Sequence, residues 1–222
     1  MWIVGIDITT TVPEKHFPIM RDRMFPEIVL SRLRQRDEIH TMPVDSHPER
    51  SINLVRLTRA TGLDKEVMAI FEDVKMRIKR TKNPRITTNI GGVLAYAKRL
   101  SLDLQQEKAR TEASGKTASP LPRFVVHVFT DGKVEGPQTT PPAGAWPADV
   151  MVWFWGLEEP EVAPLKQWAT TRMELPEAQL HIVLYSDWNT RADKVFGHHI
   201  ERPYANADLL KKLGIGPALA RH

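Results

Sequence analysis

Residues 2–11 read "WIVGIDITTT", and the fold turns on how this stretch is read. Trp2 to Ile6 is a continuous apolar run, then comes a single carboxylate, Asp7, and soon after it three threonines at 9, 10 and 11. A run that does not alternate describes a strand covered on both faces. Its exit has two readings: a strand end turning into solvent, or an oxygen-rich site for a hard cation or a phosphate.

Strand-like runs recur along the chain: "DEIHTMPV" (37–44), "SINLVRLT" (51–58), "RFVVHVFTD" (123–131), "ADVMVWFWG" (148–156) and "QLHIVLYSD" (179–187). Most are near-continuous, which predicts a central sheet with helices on both sides. The 37–44 and 51–58 runs, joined around Asp45–Pro48, predict an antiparallel hairpin at one edge. Helical patterns fall between the strands. Residues 26–36 start on Pro26 at a first helical position. Residues 64–80 space Val67, Phe71, Val74 and Ile78 along one face, with Asp64 as the cap. Residues 89–110 align Ile90, Leu94, Ala97 and Leu104. Residues 159–173 make a weaker helix because Pro164 falls inside it, and 206–214 a short closing one stopped by Gly214. Two segments read as elaborated loops, 111–123 and the Pro- and Gly-rich 133–148.

The 222 residues suit one domain spanning 1–222. There is no cysteine, so disulfides and thiolate metal sites are excluded. No signal-peptide pattern or membrane-spanning run is seen, which predicts a soluble, cytoplasmic protein. The formal charge of +4 is a mild excess. It is densest in "KMRIKRTKNPR" (75–85), read as a solvated helix face running into its C-terminal turn.

In a parallel sheet, ligands gather at the carboxyl ends of the strands. Three motifs fall there: Asp7-Ile8-Thr9-Thr10-Thr11, then "TTNIGGVL" (87–94) opening a helix, then Thr130-Asp131-Gly132. All offer hard oxygen donors of the kind Mg²⁺ takes. Each alone has an ordinary reading: a strand edge at Thr9–Thr11, helix caps at Thr87, Thr88 or Asn89, a turn at Asp131-Gly132. Their order resembles the von Willebrand factor A family, whose metal-ion-dependent adhesion site joins Asp-x-Ser-x-Ser, a Thr before a helix and an Asp ending the fourth strand. Here Thr9 and Thr11 replace the serines, which keeps the hydroxyl, adds a methyl and stiffens χ1. The resemblance implies a Rossmann-like three-layer αβα sandwich: a mostly parallel six-stranded sheet with one antiparallel edge strand. It also implies Mg²⁺, or else Mn²⁺ or Ca²⁺, held by Asp7, Thr9, Thr11, Thr88 and Asp131, with an acidic residue of a protein partner completing the shell. That is binding rather than catalysis.

Three functions remain open on sequence grounds. The first is an intracellular adaptor of this family. The second is a Mg²⁺-dependent nuclease or phosphotransferase of ribonuclease H-like type, for which Asp7 and Asp131 are few carboxylates. The third is a nucleic-acid-associated module using Lys75, Arg77, Lys79, Arg80, Lys82 and Arg85. His127 and His181 read as strand histidines, and the adjacent His198 and His199 point to opposite faces if on a strand. Trp153 and Trp155 read as sheet-face packing, and Ser186-Asp187 as a turn.

Overall fold

The structure, a computed structural model, describes residues 1–58, 63–188 and 211–213. Six strands form one sheet in the order β3-β2-β1-β4-β5-β6. They are β1 (Trp2–Asp7), β2 (Glu38–Val44), β3 (Asn53–Arg56), β4 (Phe124–Phe129), β5 (Val150–Leu157) and β6 (Leu180–Leu184). β3 runs antiparallel to β2 and the other neighbours are parallel. The architecture inferred from the sequence is therefore present, hairpin included. Near-continuous apolar strands arise because both faces are covered. Trp2, Val4, Ile6, Phe129, Trp153 and Trp155 pack on one side. Ile3, Val126, Val128, Val152 and Phe154 pack on the other.

Helix α1 (His16–Ile19), a π-helical stretch Met20–Met24 and α2 (Phe25–Ile28) join α3 (Leu63–Arg77) on the first face. Helices α4 (Ile90–Ala113) and α5 (Glu159–Thr171) cover the second. Several boundaries differ from expectation. Helical structure begins at His16, ahead of Pro26, and the 26–36 helix stops early. The buried Arg32 folds its guanidinium back onto the carbonyls of Glu27 and Ile28, at 2.6 and 3.0 Å, which takes the acceptors a longer helix would use. α3 starts before Asp64, so that residue lies in the first turn rather than at the cap, and it ends at Arg77. α4 runs through Ala113, so the first three residues of the expected 111–123 loop are helical. α5 forms in spite of Pro164, whose missing N–H leaves unused the carbonyl of the exposed Pro160. The expected closing helix at 206–214 lies largely outside the described residues, as do His198 and His199.

One core position opposes stability. Lys98 on α4 is fully buried and its ammonium has no hydrogen-bond partner, resting 5.5 Å from the Trp146 ring centre. Burial lowers its pKa, partly offset by Glu174. Below the unfolded value of about 10.4 the unfolded chain binds a proton that the folded state disfavours, so the penalty is present at neutral pH and fades toward pH 10. Lys98→Met is expected to stabilise the protein at pH 7 by about 1–3 kcal/mol. Chemical denaturation at pH 7 and pH 10 checks this, with the gain shrinking at the higher pH.

Candidate metal centre

β1 lies between β2 and β4, so the chain leaving its carboxyl end stands mid-sheet. Asp7, the last residue of β1, is fully buried. Its Oδ1 accepts the Thr9 N–H at 3.0 Å and the Thr9 hydroxyl at 2.7 Å. Its Oδ2 accepts the Thr130 hydroxyl at 2.8 Å. The Thr9 Oγ1 also lies 2.8 Å from the hydroxyls of both Thr11 and Thr88. Since the single Thr9 proton is committed to Asp7, Thr11 and Thr88 donate to Thr9. Three hydroxyls separated by up to 79 residues of sequence thus meet on one atom.

Asp131 completes the cluster. Thr130, its neighbour, is the residue bonded to Asp7. Asp131 Oδ1 accepts the Lys133 N–H at 3.2 Å, while the buried Oδ2 has no hydrogen-bond partner. Gly132 at φ +89° makes the turn that the other residue types resist, and a side chain there would strike Leu157. The aspartate titrations agree with this crowding. Burial pushes Asp7 up to about 7 against the hydrogen bonds from Thr9 and Thr130, and the charge of Asp131 adds to the rise. Burial likewise raises Asp131, opposed by the Lys133 N–H and charge and reinforced by Glu161 and Glu135. Two carboxylates out of water and short of positive charge are costly unless protonated or paired with a cation.

The two threonine segments of the site are each held in place by a distant side chain. Asn89, rather than Thr87 or Thr88, caps the helix by accepting the Gly92 N–H at 2.9 Å. Its side chain also accepts the Thr139 N–H and donates to Ser46 O and Thr139 Oγ1, so all its hydrogen-bonding capacity is used. Within the 133–148 loop, Gln138 donates to the Thr88 carbonyl at 2.7 Å and accepts the Gly91 N–H at 3.0 Å. That loop is therefore a strap lying on the start of α4. Gly91 and Gly92 are small because a Cβ would meet Thr139 O at 2.7 Å and Pro48 Cγ at 2.5 Å. On the other side, Arg80 donates to the carbonyls of Thr10 and Val12, at 3.1 and 3.0 Å, fastening the threonine loop.

Sequence reasoning missed Thr130, Gln138 and Arg80 as parts of this site. Thr130 was visible inside the Thr-Asp-Gly motif; Gln138 carried no local signal. Other residues take bland roles. His127 accepts the Trp155 indole N–H at 3.0 Å, His181 stacks on Trp153, and Trp153 stacks on Trp155. Ser186-Asp187 forms a turn. In the basic stretch, Lys75 pairs with Glu72, Arg77 with Asp73, and Arg80 is spent on the loop carbonyls.

The donor set fits a hard divalent cation. It is all oxygen, two of its members are buried acids, and one buried carboxylate oxygen has nothing to bind. Among the described residues no cluster of three or more His, Cys, Asp or Glu is placed to hold a metal.

No family model and no curated protein matches the chain. Among solved structures, proximal thread matrix protein 1 from the mussel byssus aligns over 87% of this chain and 45% of its own, at 17% identity and TM-score 0.46. The same protein with a zinc occupied MIDAS motif aligns over 87% and 46%, at 14% identity and TM-score 0.44. A von Willebrand factor type A protein from Catenulispora acidiphila aligns over 77% and 30%, at 13% identity and TM-score 0.40. The chain spans less than half of each of these. The fold rests on the chain's own topology: a six-stranded, mostly parallel sheet with one antiparallel edge strand and helices on both faces, an α/β arrangement.

Proposed function

We propose that residues 1–222 are a single von Willebrand A-like binding module that uses one divalent cation, Mg²⁺ in the first instance, to engage an acidic residue of a protein partner. The observation that carries this reading is the meeting of Thr9, Thr11 and Thr88 hydroxyls beside Asp7 and the unpartnered Asp131 Oδ2. Thr9, Thr11 and Thr88 would hold the ion with Asp7 and Asp131, directly or through water. When bound, the ion supplies residual positive charge that an incoming carboxylate can complete, because only two of the five residues are anionic. The protein's own share is orientation: Thr130 aims Asp7, Gln138 fixes Thr88, and Arg80 fixes the Thr9–Thr11 loop. A hydroxyl-rich set serves a single ion better than the paired ions of phosphoryl cleavage, which supports binding over a nuclease or phosphotransferase. No helix among the described residues is long and apolar enough to cross a membrane. A cytoplasmic adaptor role is part of this proposal.

Calorimetric titration with Mg²⁺ and Mn²⁺ tests the reading. One ion per chain is expected, with binding abolished in Asp7→Ala and Asp131→Ala; equal binding in both variants would refute it. The strap gives a finer prediction. Gln138→Met removes the donor to the Thr88 carbonyl and should weaken metal affinity about tenfold, the lower end for groups that orient ligands. The same titration measures the effect.

A further inference from the structure

Charges around the metal centre are unevenly spread, although Asp45 and Asp73 also stand on the β1–β2 side. On the β1–β2 side, residues 79–85 lie along the threonine loop, fixed by the Thr81 N–H to the Ile8 carbonyl at 2.7 Å and by Arg80 to Thr10 and Val12. From this segment Lys79, Lys82 and Arg85 are exposed. None of them makes an ion pair among the described residues, and no acid occurs between Ile78 and Thr88. On the β4–β5 side stand acids. The Glu135 carbonyl accepts from Gln138 Nε2 at 3.0 Å, the amide that also holds Thr88. Glu161 Cβ is 3.1 Å from where a Cβ on Gly132 would stand, beside Asp131. Glu158 and Glu159 open the same helix, with Glu158 3.8 Å from His16. Lys133 is the cation beside Asp131 on this flank, while Lys166 of α5 is paired with Glu177.

We infer, resting on the metal-dependent reading above, that the centre sits in a dipolar docking face for a protein segment of matching polarity. The ligating carboxylate of that segment is flanked by acidic residues toward Lys79, Lys82 and Arg85, and by basic residues toward Glu135 and Glu161. Exposed ion pairs are weak singly. Arrayed on both sides of one anchored carboxylate they set orientation and reject partners of uniform charge.

The probes are short synthetic peptides with a central Asp between glycines. Two carry a Glu run on one side and a Lys run on the other, in either order; two carry the same charge on both sides. Binding is followed by fluorescence anisotropy in low salt with saturating Mn²⁺. At least one mixed peptide is expected to bind tenfold or more tighter than both uniform ones, about 1.4 kcal/mol. The surface variant Lys79→Glu/Lys82→Glu/Arg85→Glu should transfer the preference to the all-Lys peptide. Equal binding of all peptides, no binding of any, or an unchanged preference in the variant would overturn the inference, as would salt-sensitive capture of DNA in place of peptide. Failure of the wild-type protein to take up Mn²⁺ in a parallel titration would instead strike the underlying metal reading.

Discussion

Asp7→Asn should make the metal-free protein more stable at pH 8 while removing its metal affinity. The carboxylate is buried and its pKa is pushed up to about 7, mainly by burial. A raised carboxyl pKa means that the folded state holds its proton where the unfolded chain has lost it. Stability is therefore present at low pH and falls as pH rises from about 4 through 7. At 1.36 kcal/mol per pH unit the loss amounts to at most about 4 kcal/mol. Asn is nearly isosteric, keeps the Oδ1 acceptor for Thr9 and carries no charge to desolvate, although its Nδ2 no longer accepts the Thr130 hydroxyl, which takes back about 1 kcal/mol of the gain. The expected rise in Tm is on the order of 10 °C for a chain of this size. A substitution that stabilises the apo fold and abolishes binding marks a group kept for function at a cost to stability. Scanning calorimetry of both proteins with and without Mg²⁺ reads this directly: Mg²⁺ should raise the wild-type Tm at pH 8 and leave Asp7→Asn unmoved. An apo variant less stable than wild type at pH 8 would contradict the argument.

His127→Phe should change the response to acid. His127 is buried in the aromatic face of the sheet, stacked on Trp2 at 5.5 Å, and accepts from Trp155. Burial, with a contribution from Arg32, drives its pKa down to about 3. The unfolded histidine takes up a proton near pH 6.5 and the folded one does not. The neutral ring's contribution is complete above pH 6.5 and lost as pH falls toward 3, at most about 5 kcal/mol. This opposes the Asp7 linkage, so the wild-type protein should show a shallow pH profile between 4.5 and 6.5. Removing either group unmasks the other. Asp7→Asn should lose stability on acidification. His127→Phe should gain it, after an initial loss of about 1–3 kcal/mol for the missing acceptor of the Trp155 N–H. Urea unfolding at several pH values checks the pair; parallel profiles for all three proteins would refute the assignment.

The sheet was legible because its strands are doubly covered, and runs such as "WIVGI" and "VMVWFW" have no other economical reading. Asp7, Thr9, Thr11, Thr88 and Asp131 were legible as candidates because each follows a strand or opens a helix at one rim, and the structure links the first four by hydrogen bonds with Asp131 alongside. The helical stretch from His16 to Phe25 was hidden because Pro26 reads as the start of its helix, whereas helical structure already precedes it. Pro26 has no N–H for the Asp22 carbonyl, and the chain passes through a π-helical stretch just before it. The clamps were hidden for another reason. Gln138 reaches Thr88 across 50 residues and Arg80 reaches Thr10 across 70, and no local pattern encodes such a contact.

The most direct measurement is a crystal of this protein grown with Mn²⁺ and its anomalous difference density. The account predicts one peak among the Thr9, Thr11 and Thr88 hydroxyls, flanked by Asp7 and Asp131, with direct ligands at about 2.0–2.3 Å, Mn²⁺ being slightly larger than Mg²⁺. A map with no peak there, at a Mn²⁺ concentration that saturates binding in solution, would contradict it.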